Sequence, residues 1–194
     1  MAKVPGGKNG ENLTEREKEG ARLNKEEQKN GAVNVCVFSD SHGYPDHMLR
    51  VIEKEQPDLI FHLGDGESDL RAVRRANPDL TIHSVRGNCD LFSAAPTLLK
   101  TKVAGVKFFA THGHEYKVKY DRDFQTLRYA GLEADARVVL FGHTHIPYHD
   151  RVWGMEIVNP GSIGYGPRAG YAVLTIEDGK VTANLKQIGN HFRG

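Results

Sequence analysis

The sequence contains short apolar runs that each end in a small polar motif. The first run extends from Val33 to Phe38 and predicts a buried strand, which Gly43 and Pro45 bring to an end. Asp40 and His42 follow this run directly, and side chains two residues apart in extended backbone point to the same side. Their carboxylate and imidazole are therefore expected to converge as half of a metal site. One such motif is weak evidence, so the interpretation depends on matching motifs at other strand ends.

Helices and strands alternate after this first strand. In chain order, the pattern predicts a helix over Asp46–Glu55, a strand over Asp58–Leu63, a helix over Ser68–Ala76 and a strand over Leu80–Val85. Strand–helix–strand repeats of this kind form parallel sheets. The ligand sites of such sheets lie beyond the carboxyl ends of the strands.

The second half of the sequence favours strands. It predicts a hairpin over Leu98–Val103 and Val106–Ala110, a helix over Asp121–Ala136, a strand over Arg137–Phe141, an apolar segment over Val152–Val158, and a closing hairpin over Tyr171–Ile176 and Val181–Ile188. Together the elements predict an α/β fold over residues 32–194, a layered α-β-β-α sandwich of two facing mixed sheets with flanking helices.

Residues 1–31 have a different composition. They are rich in Gly, Asn, Lys and Glu, and Thr14 with Glu17 fits a capping box that predicts a helix from Thr14 to Lys29. This helix has no apolar stripe that would hold it against a core. We expect a polar, mobile N-terminal extension, with a docking segment or an extension added for expression as the alternatives.

The overall composition excludes several classes of protein. Hydrophobic residues make up 39% of the chain, charged residues 26%, and the net charge of +1 provides no general attraction for nucleic acid. No apolar run approaches the length of a membrane span, and no signal-peptide core is seen. The two cysteines do not make a disulfide framework. We therefore expect a cytoplasmic protein without a membrane or nucleic-acid partner.

Polar motifs follow five predicted strands. They are Asp40-x-His42, Gly64-Asp65, Gly87-Asn88, His112-Gly113 and His143-x-His145. Glycine beside a ligand lets the backbone turn sharply and approach an ion or a phosphate. Carboxylate, imidazole and amide groups suit divalent ions such as Mn, Fe or Zn. Seven ligands are too many for one ion but suit two ions that share a carboxylate, an arrangement that serves phosphoryl displacement.

These motifs resemble those of the calcineurin-like metallophosphoesterase superfamily. The likeness is carried by Ser39-Asp40-Ser41-His42, Gly64-Asp65, Gly87-Asn88-Cys89-Asp90, Thr111-His112-Gly113-His114 and Gly142-His143-Thr144-His145. It extends from Val33 to the C-terminus, and it is greatest with the small stand-alone phosphodiesterases of bacteria and archaea, which also carry the Asn159-Pro160-Gly161-Ser162 segment.

The resemblance implies two divalent metal ions, with Mn the first expectation and Fe, Zn, Ni or Co as alternatives. It implies that one ion is held by Asp40, His42 and His145. The second ion is held by Asn88, His112 and His143, and Asp65 bridges both ions. The family chemistry is attack of a hydroxide held by the two metals on phosphorus. Asp65 and Asn88 are then the expected catalytic residues, since the Asn88 amide also carries N–H donors for a phosphoryl oxygen.

One position departs from the pattern of the larger family members. Those proteins have a histidine that assists the leaving group where this sequence has Cys89, although the small members share the departure. A thiol is poorly matched to that proton transfer at neutral pH. His114 is the remaining candidate for a proton donor or phosphate contact, with a supporting or surface role as the alternative.

The expected function is hydrolysis of a small phosphodiester. A phosphomonoesterase or a nucleotide pyrophosphatase of the same superfamily is the alternative enzyme, and a non-catalytic metal-binding scaffold, like the retromer subunit that shares the fold, is the alternative from another class. The substrate is expected to be selected by loops such as Phe92–Thr97 and Gly161–Gly170, the latter with Arg168. The sequence leaves open whether the protein forms a homo-oligomer.

Overall fold

The computed structural model describes residues 31–164 and 169–188. The first half contains the strands β1 (Val33–Phe38), β2 (Leu59–His62) and β3 (Thr81–Ser84) with the helices α1 (Pro45–Glu55) and α2 (Leu70–Ala76). The second half contains β4 (Leu98–Val103), β5 (Val106–Thr111), a short 3-10 helix (His114–Tyr116), α3 (Gln125–Glu133), β6 (Val138–Leu140), β7 (Tyr148–Val152), β8 (Met155–Asn159), β9 (Gly170–Glu177) and β10 (Lys180–Gln187).

The strands form two mixed sheets of five strands each. The first sheet has the order β10-β9-β1-β2-β3 and the second the order β4-β5-β6-β8-β7. In the first sheet β1, β2 and β3 run parallel, and in the second β5, β6 and β8 run parallel, while the remaining neighbours pair antiparallel. The predicted α/β fold of two facing mixed sheets with flanking helices is confirmed.

Three apolar clusters hold the layers together. One lies between the sheets, where Phe61 of β2 stacks on Phe108 of β5 with ring centroids 5.2 Å apart. The others lie between each sheet and its helices. Strand β1 contributes Val35 and Val37 to the first cluster and Cys36 and Phe38 to the helix side. Both faces of β1 are therefore buried, which explains its continuous apolar run.

Two predicted elements differ from the structure. The helix predicted over Asp121–Ala136 is shorter, because Asp121 accepts a hydrogen bond from the Thr126 N–H and Phe124 is left-handed with φ 52°, so α3 begins at Gln125. The apolar segment Val152–Val158 spans the end of β7, a turn and most of β8. Trp153 and Gly154, with φ of 51° and 80°, form a turn that joins β7 to β8 as a hairpin.

Some predictions fall outside the described residues. They concern residues 1–30 of the N-terminal extension and Arg168. Within the described residues, no helix is long and apolar enough to cross a membrane.

Candidate metal centre

The five polar motifs meet at one edge of the molecule. Each follows a parallel strand, with Asp40 and His42 after β1, Asp65 after β2 and Asn88 after β3 of the first sheet. His112 follows β5, and His143 and His145 follow β6, of the second sheet. The carboxyl ends of parallel strands thus bring all seven predicted ligands to one site.

Three of these side chains form a first cluster around Asp40. The Nε2 atom of His145 lies 3.1 Å from Asp40 Oδ1, and the Nε2 atom of His42 lies 3.8 Å from the same oxygen. The two imidazole nitrogens are 3.4 Å apart. The His42 and His145 side chains are 38% and 47% exposed, so a solute can reach this cluster from the solvent.

A second cluster surrounds the buried imidazole of His112. Its Nε2 atom lies 3.1 Å from His143 Nδ1, 3.2 Å from Asn88 Oδ1 and 3.4 Å from Asp65 Oδ2. On the other side of the ring, His112 Nδ1 lies 2.7 Å from the Leu63 carbonyl oxygen. That carbonyl can only accept, so Nδ1 carries a proton, and Nε2 is the ring atom that faces the cluster and could bind a metal.

Asp40 and Asp65 connect the two clusters. Asp40 Oδ1 lies 4.0 Å from His112 Nε2. Asp65 belongs to two groups of side chains whose ligand atoms all lie within 4.8 Å of one another. One group adds His112 and His143, and the other adds His42 and Cys89. Asp65 therefore lies between the clusters, as a bridging carboxylate requires.

The two oxygens of Asp40 differ in a way that fits a metal ion. Oδ2 accepts hydrogen bonds from the Ser39 hydroxyl at 2.5 Å and from the His143 N–H at 3.1 Å. Oδ1 is equally buried but forms no well-aligned hydrogen bond with a described residue, although His145 Nε2 lies 3.1 Å away. A buried carboxylate oxygen without a donor costs about 1–3 kcal/mol or more. A cation held by this oxygen and the adjoining imidazoles would remove that cost.

The ionisation of the cluster follows from these contacts. Burial alone would raise the pKa of Asp40, but His145, His112 and Ser39 lower it below its ordinary value. The pKa of Asp65 is likewise lowered, against the effect of burial, by His112 and the Cys89 N–H. Burial and the charge of His112 lower the pKa of His143 to about 4. Charged carboxylates and a neutral imidazole are the forms that bind metals.

The backbone at the site is unusual. Five of the seven predicted ligands have positive φ, namely Asp40 (56°), His42 (45°), Asp65 (55°), His143 (67°) and His145 (59°). Asp and His tolerate this region better than branched residues, but it still stores strain, which concentrates at functional sites. Gly87 has no room for a side chain, because a Cβ there would collide with Asp65 Oδ1.

Asp90 has a role that sequence reasoning missed. Its carboxylate accepts four backbone N–H bonds, from Asp65 at 2.7 Å, Gly66 at 3.0 Å, Glu67 at 3.0 Å and Gly87 at 2.8 Å. These bonds join the loop after β2 to the loop after β3 and lower the pKa of Asp90 against the effect of burial. The only signal in the sequence was its place in the Gly87-Asn88-Cys89-Asp90 motif.

A second supporting network lies under Asp40 and His42. The Ser41 hydroxyl donates to Asp69 Oδ2 at 2.6 Å, and the Gly43 N–H donates to the same oxygen at 2.9 Å. The fully buried His62 places Nε2 3.3 Å from the Ser41 hydroxyl. These contacts hold the loop after β1 in place, and the partnership of Ser41 with Asp69 was also missed.

His114 lies beside the second cluster. Its ring centroid is 5.4 Å from that of His112 and 6.1 Å from that of His143. Its Nδ1 is buried without a hydrogen-bond partner among the described residues. Burial and the charge of His112 lower the pKa of His114, which favours its neutral form.

Comparisons with known proteins identify the family. The sequence model of the calcineurin-like phosphoesterase superfamily domain matches residues 33–179. A probable metallophosphoesterase of Bacillus subtilis, YsnB, is 32% identical over 167 residues, which are 82% of this chain and 95% of that protein.

Two solved structures share the fold. A predicted phosphoesterase from Streptococcus pneumoniae aligns with a TM-score of 0.67 and 28% identity, over 82% of this chain and 94% of that chain. Vps29 from Entamoeba histolytica, in complex with Zn²⁺, aligns with a TM-score of 0.62 and 22% identity, over 80% of this chain and 99% of that chain. The second likeness shows the fold alone.

Proposed function

Because this chain belongs to the calcineurin-like phosphoesterase superfamily, whose members are divalent-metal enzymes acting on phosphoesters, we propose that it is a phosphodiesterase with a two-metal site. The observation that carries the proposal is the convergence of seven oxygen and nitrogen ligands in two adjoining clusters that Asp40 and Asp65 connect. The substrate we propose is a small phosphodiester.

The ligands divide between the two clusters. One ion is assigned to Asp40, His42 and His145 and the other to Asn88, His112 and His143, with Asp65 shared. When bound, such ions lower the pKa of water to give a nucleophile at neutral pH and neutralise charge on the phosphoryl oxygens. The residues of the chain supply the rest: they fix the ligand positions, keep both carboxylates charged and leave the first cluster open to substrate.

Asn88 can contact the substrate as well as a metal ion. Its Oδ1 faces His112 at 3.2 Å, whereas its Nδ2 lies on the exposed side, 3.3 Å from Cys89 Sγ. The amide N–H groups can therefore donate to a phosphoryl oxygen while the carbonyl oxygen stays within the cluster.

Cys89 limits the leaving groups that the site can assist. Burial and the nearby Asp65 raise the pKa of this thiol above its ordinary value, so it is a weak proton donor to a leaving group. The pKa of His114, the alternative donor, is lowered by burial and by the charge of His112, which disfavours its protonated form. A site of this kind favours substrates whose leaving group departs without a strong acid. Both cysteines are free, which fits the cytoplasm as the proposed location.

Parallel hydrolysis of two synthetic esters tests the proposal. Metal-stripped protein is titrated with Mn²⁺ in the presence of bis-p-nitrophenyl phosphate or p-nitrophenyl phosphate. We expect metal-dependent turnover that favours the diester. The variant Asp65→Asn should lose at least about 100-fold in kcat/KM, because it removes the shared carboxylate. The exposed Asp79→Asn, with the same loss of charge, should retain full activity.

The other outcomes identify the alternative functions. Faster turnover of the monoester would indicate a phosphomonoesterase, and release of phosphate from nucleoside diphosphates would indicate a pyrophosphatase. No turnover with Mn, Fe, Zn, Ni or Co, in folded protein that binds the ion, would favour a metal-binding scaffold.

A further inference from the structure

A second polar cavity lies at the edge of the molecule opposite the metal centre. It has a volume of about 350 Å³ and is lined by Arg137, Arg151, Gly154, Glu156, Lys180, Val181 and Thr182. Arg137 precedes the amino end of β6, whereas His143 follows its carboxyl end. At about 3.3 Å per residue, the two positions are roughly 20 Å apart along the strand. The cavity is therefore separate from the metal centre.

The position of the cavity in the fold explains its shape. Strand β10 is an edge strand of the first sheet, β7 is an edge strand of the second, and β10 contacts β7 and β8 here. Val181 packs on the apolar cluster between the sheets, while Arg151 pairs across the hairpin with Glu156. The cavity is thus the mouth of the gap between the sheets, and its walls come from β7, β8 and β10, from Arg137 just before β6 and from Gly154 in the turn between β7 and β8.

The charges that line the cavity are unbalanced. Three side chains are cationic, and the single acidic one, Glu156, is buried and already paired with His149 Nε2 at 2.8 Å and Arg151 Nε at 3.4 Å. Arg137 and Lys180 are exposed, and neither forms an ion pair with a carboxylate of the described residues. The cavity therefore carries a surplus of positive charge.

We propose that this cavity binds a small phosphate-bearing anion of the diphosphate class. A guanidinium presents its N–H groups in a fork that matches phosphate oxygens, and a lysine adds a point charge. Arg137, Lys180 and the free N–H groups of Arg151 supply these donors, and Thr182 adds a hydroxyl. The volume lies at the lower end of the roughly 300–1,000 Å³ of small-molecule sites, which suits a diphosphate group.

Tryptophan fluorescence provides a local measurement. The sequence has a single tryptophan, Trp153, which adjoins Gly154 of the cavity and is 53% exposed. Pyrophosphate is titrated into the full chain, stripped of metal on a chelating resin, at 20 and 150 mM salt. Fluorescence and calorimetry are followed in parallel. Metal removal keeps the anion from binding through ions at the other site.

The matched variants make the test specific. We expect saturable one-to-one binding whose Kd increases at least tenfold in the double variant Arg137→Gln/Lys180→Gln. The double variant Arg74→Gln/Lys102→Gln removes two exposed positive charges elsewhere and should bind as the unmodified chain does. Circular dichroism checks folding, and the two single variants replace the double one if it is unfolded.

Three results would overturn the proposal: no saturable binding at 150 mM salt, unchanged binding in the cavity variant, or an equal loss in the control variant. A parallel titration with ADP distinguishes the sources of the anion. Tighter binding of ADP than of pyrophosphate identifies a nucleoside diphosphate, and equal or weaker binding identifies inorganic diphosphate.

Discussion

At the scale of single residues, the candidate site depends on carboxylates that are held by backbone N–H groups. Asp90 is the clearest case, because four N–H donors from two loops converge on its two oxygens. One of the donors belongs to Asp65, whose carboxylate is the proposed bridge between the ions. In the proposed centre Asp90 is therefore a positioning residue, which would act on the metals through Asp65 and not by contact.

Replacing Asp90 with asparagine tests this role. Asn offers one acceptor oxygen and a competing NH₂ group, so part of the N–H set loses its partner. We expect Asp90→Asn to lower the free energy of unfolding by about 1–3 kcal/mol. We also expect metal affinity to fall about 10- to 100-fold, as for other groups that orient metal ligands.

Urea unfolding and calorimetric titration with Mn²⁺ measure these two effects. Asp79→Asn is the control, since Asp79 is exposed and its substitution removes the same charge. If Asp90→Asn loses stability but binds Mn²⁺ with unchanged affinity, its role is structural only and the positioning argument is wrong.

At the scale of elements, the last turn of α1 is joined to two strands of the first sheet. Glu55 accepts a hydrogen bond from the Tyr171 hydroxyl of β9 at 2.7 Å, and the Lys186 ammonium of β10 donates to its other oxygen at 2.7 Å. Burial alone would raise the pKa of Glu55, but these two partners lower it below its ordinary value of 4.5. The charged form of Glu55 therefore stabilises the fold.

The pH dependence of this contribution has a definite sign. Because the folded pKa of Glu55 is depressed, its stabilising effect is complete above about pH 4.5 and is lost as the pH falls through the lower, folded value. We expect Glu55→Gln to be less stable than the unmodified chain by about 1–2 kcal/mol at pH 7. The difference should shrink below pH 4.5. Chemical unfolding at pH 7 and pH 3.5 checks this, with the exposed Glu53→Gln as control; a constant difference would refute it.

The elements also show what could be read from the sequence. Strands buried on both faces, such as β1, were predicted, because continuous apolar runs mark them. Strand β7 was missed because it lies at the edge of its sheet. Its central residues His149, Asp150 and Arg151 are all polar, so the strand shows no alternation of apolar and polar residues. The seven ligands could be listed because each adjoins a strand end. The residues that support these ligands could not be listed, because their contacts join loops that are distant in the sequence. Examples are the bond from the Asp65 N–H to Asp90 and the bond from the Ser41 hydroxyl to Asp69.

At the scale of the whole molecule, the candidate metal centre joins the two sheets. Asp40, His42, Asp65 and Asn88 come from loops of the first sheet, whereas His112, His143 and His145 come from loops of the second. Only the folded sandwich brings the two sets together, so the unfolded chain has no such site. Binding of metal must then oppose the separation of the sheets as well as serve chemistry.

Metal binding should therefore stabilise the whole domain by mass action. At a free Mn²⁺ concentration about 100 times the Kd, we expect the free energy of unfolding to increase by about 2.7 kcal/mol for one occupied site, and removal of the metal to reverse the gain. Asp40→Asn should abolish most of this gain, because it removes the buried negative charge beside the imidazoles of the first cluster. Asp79→Asn should keep it. Urea unfolding with and without Mn²⁺ measures the difference. An equal gain in Asp40→Asn would place the bound metal elsewhere and remove the main support for the proposed centre.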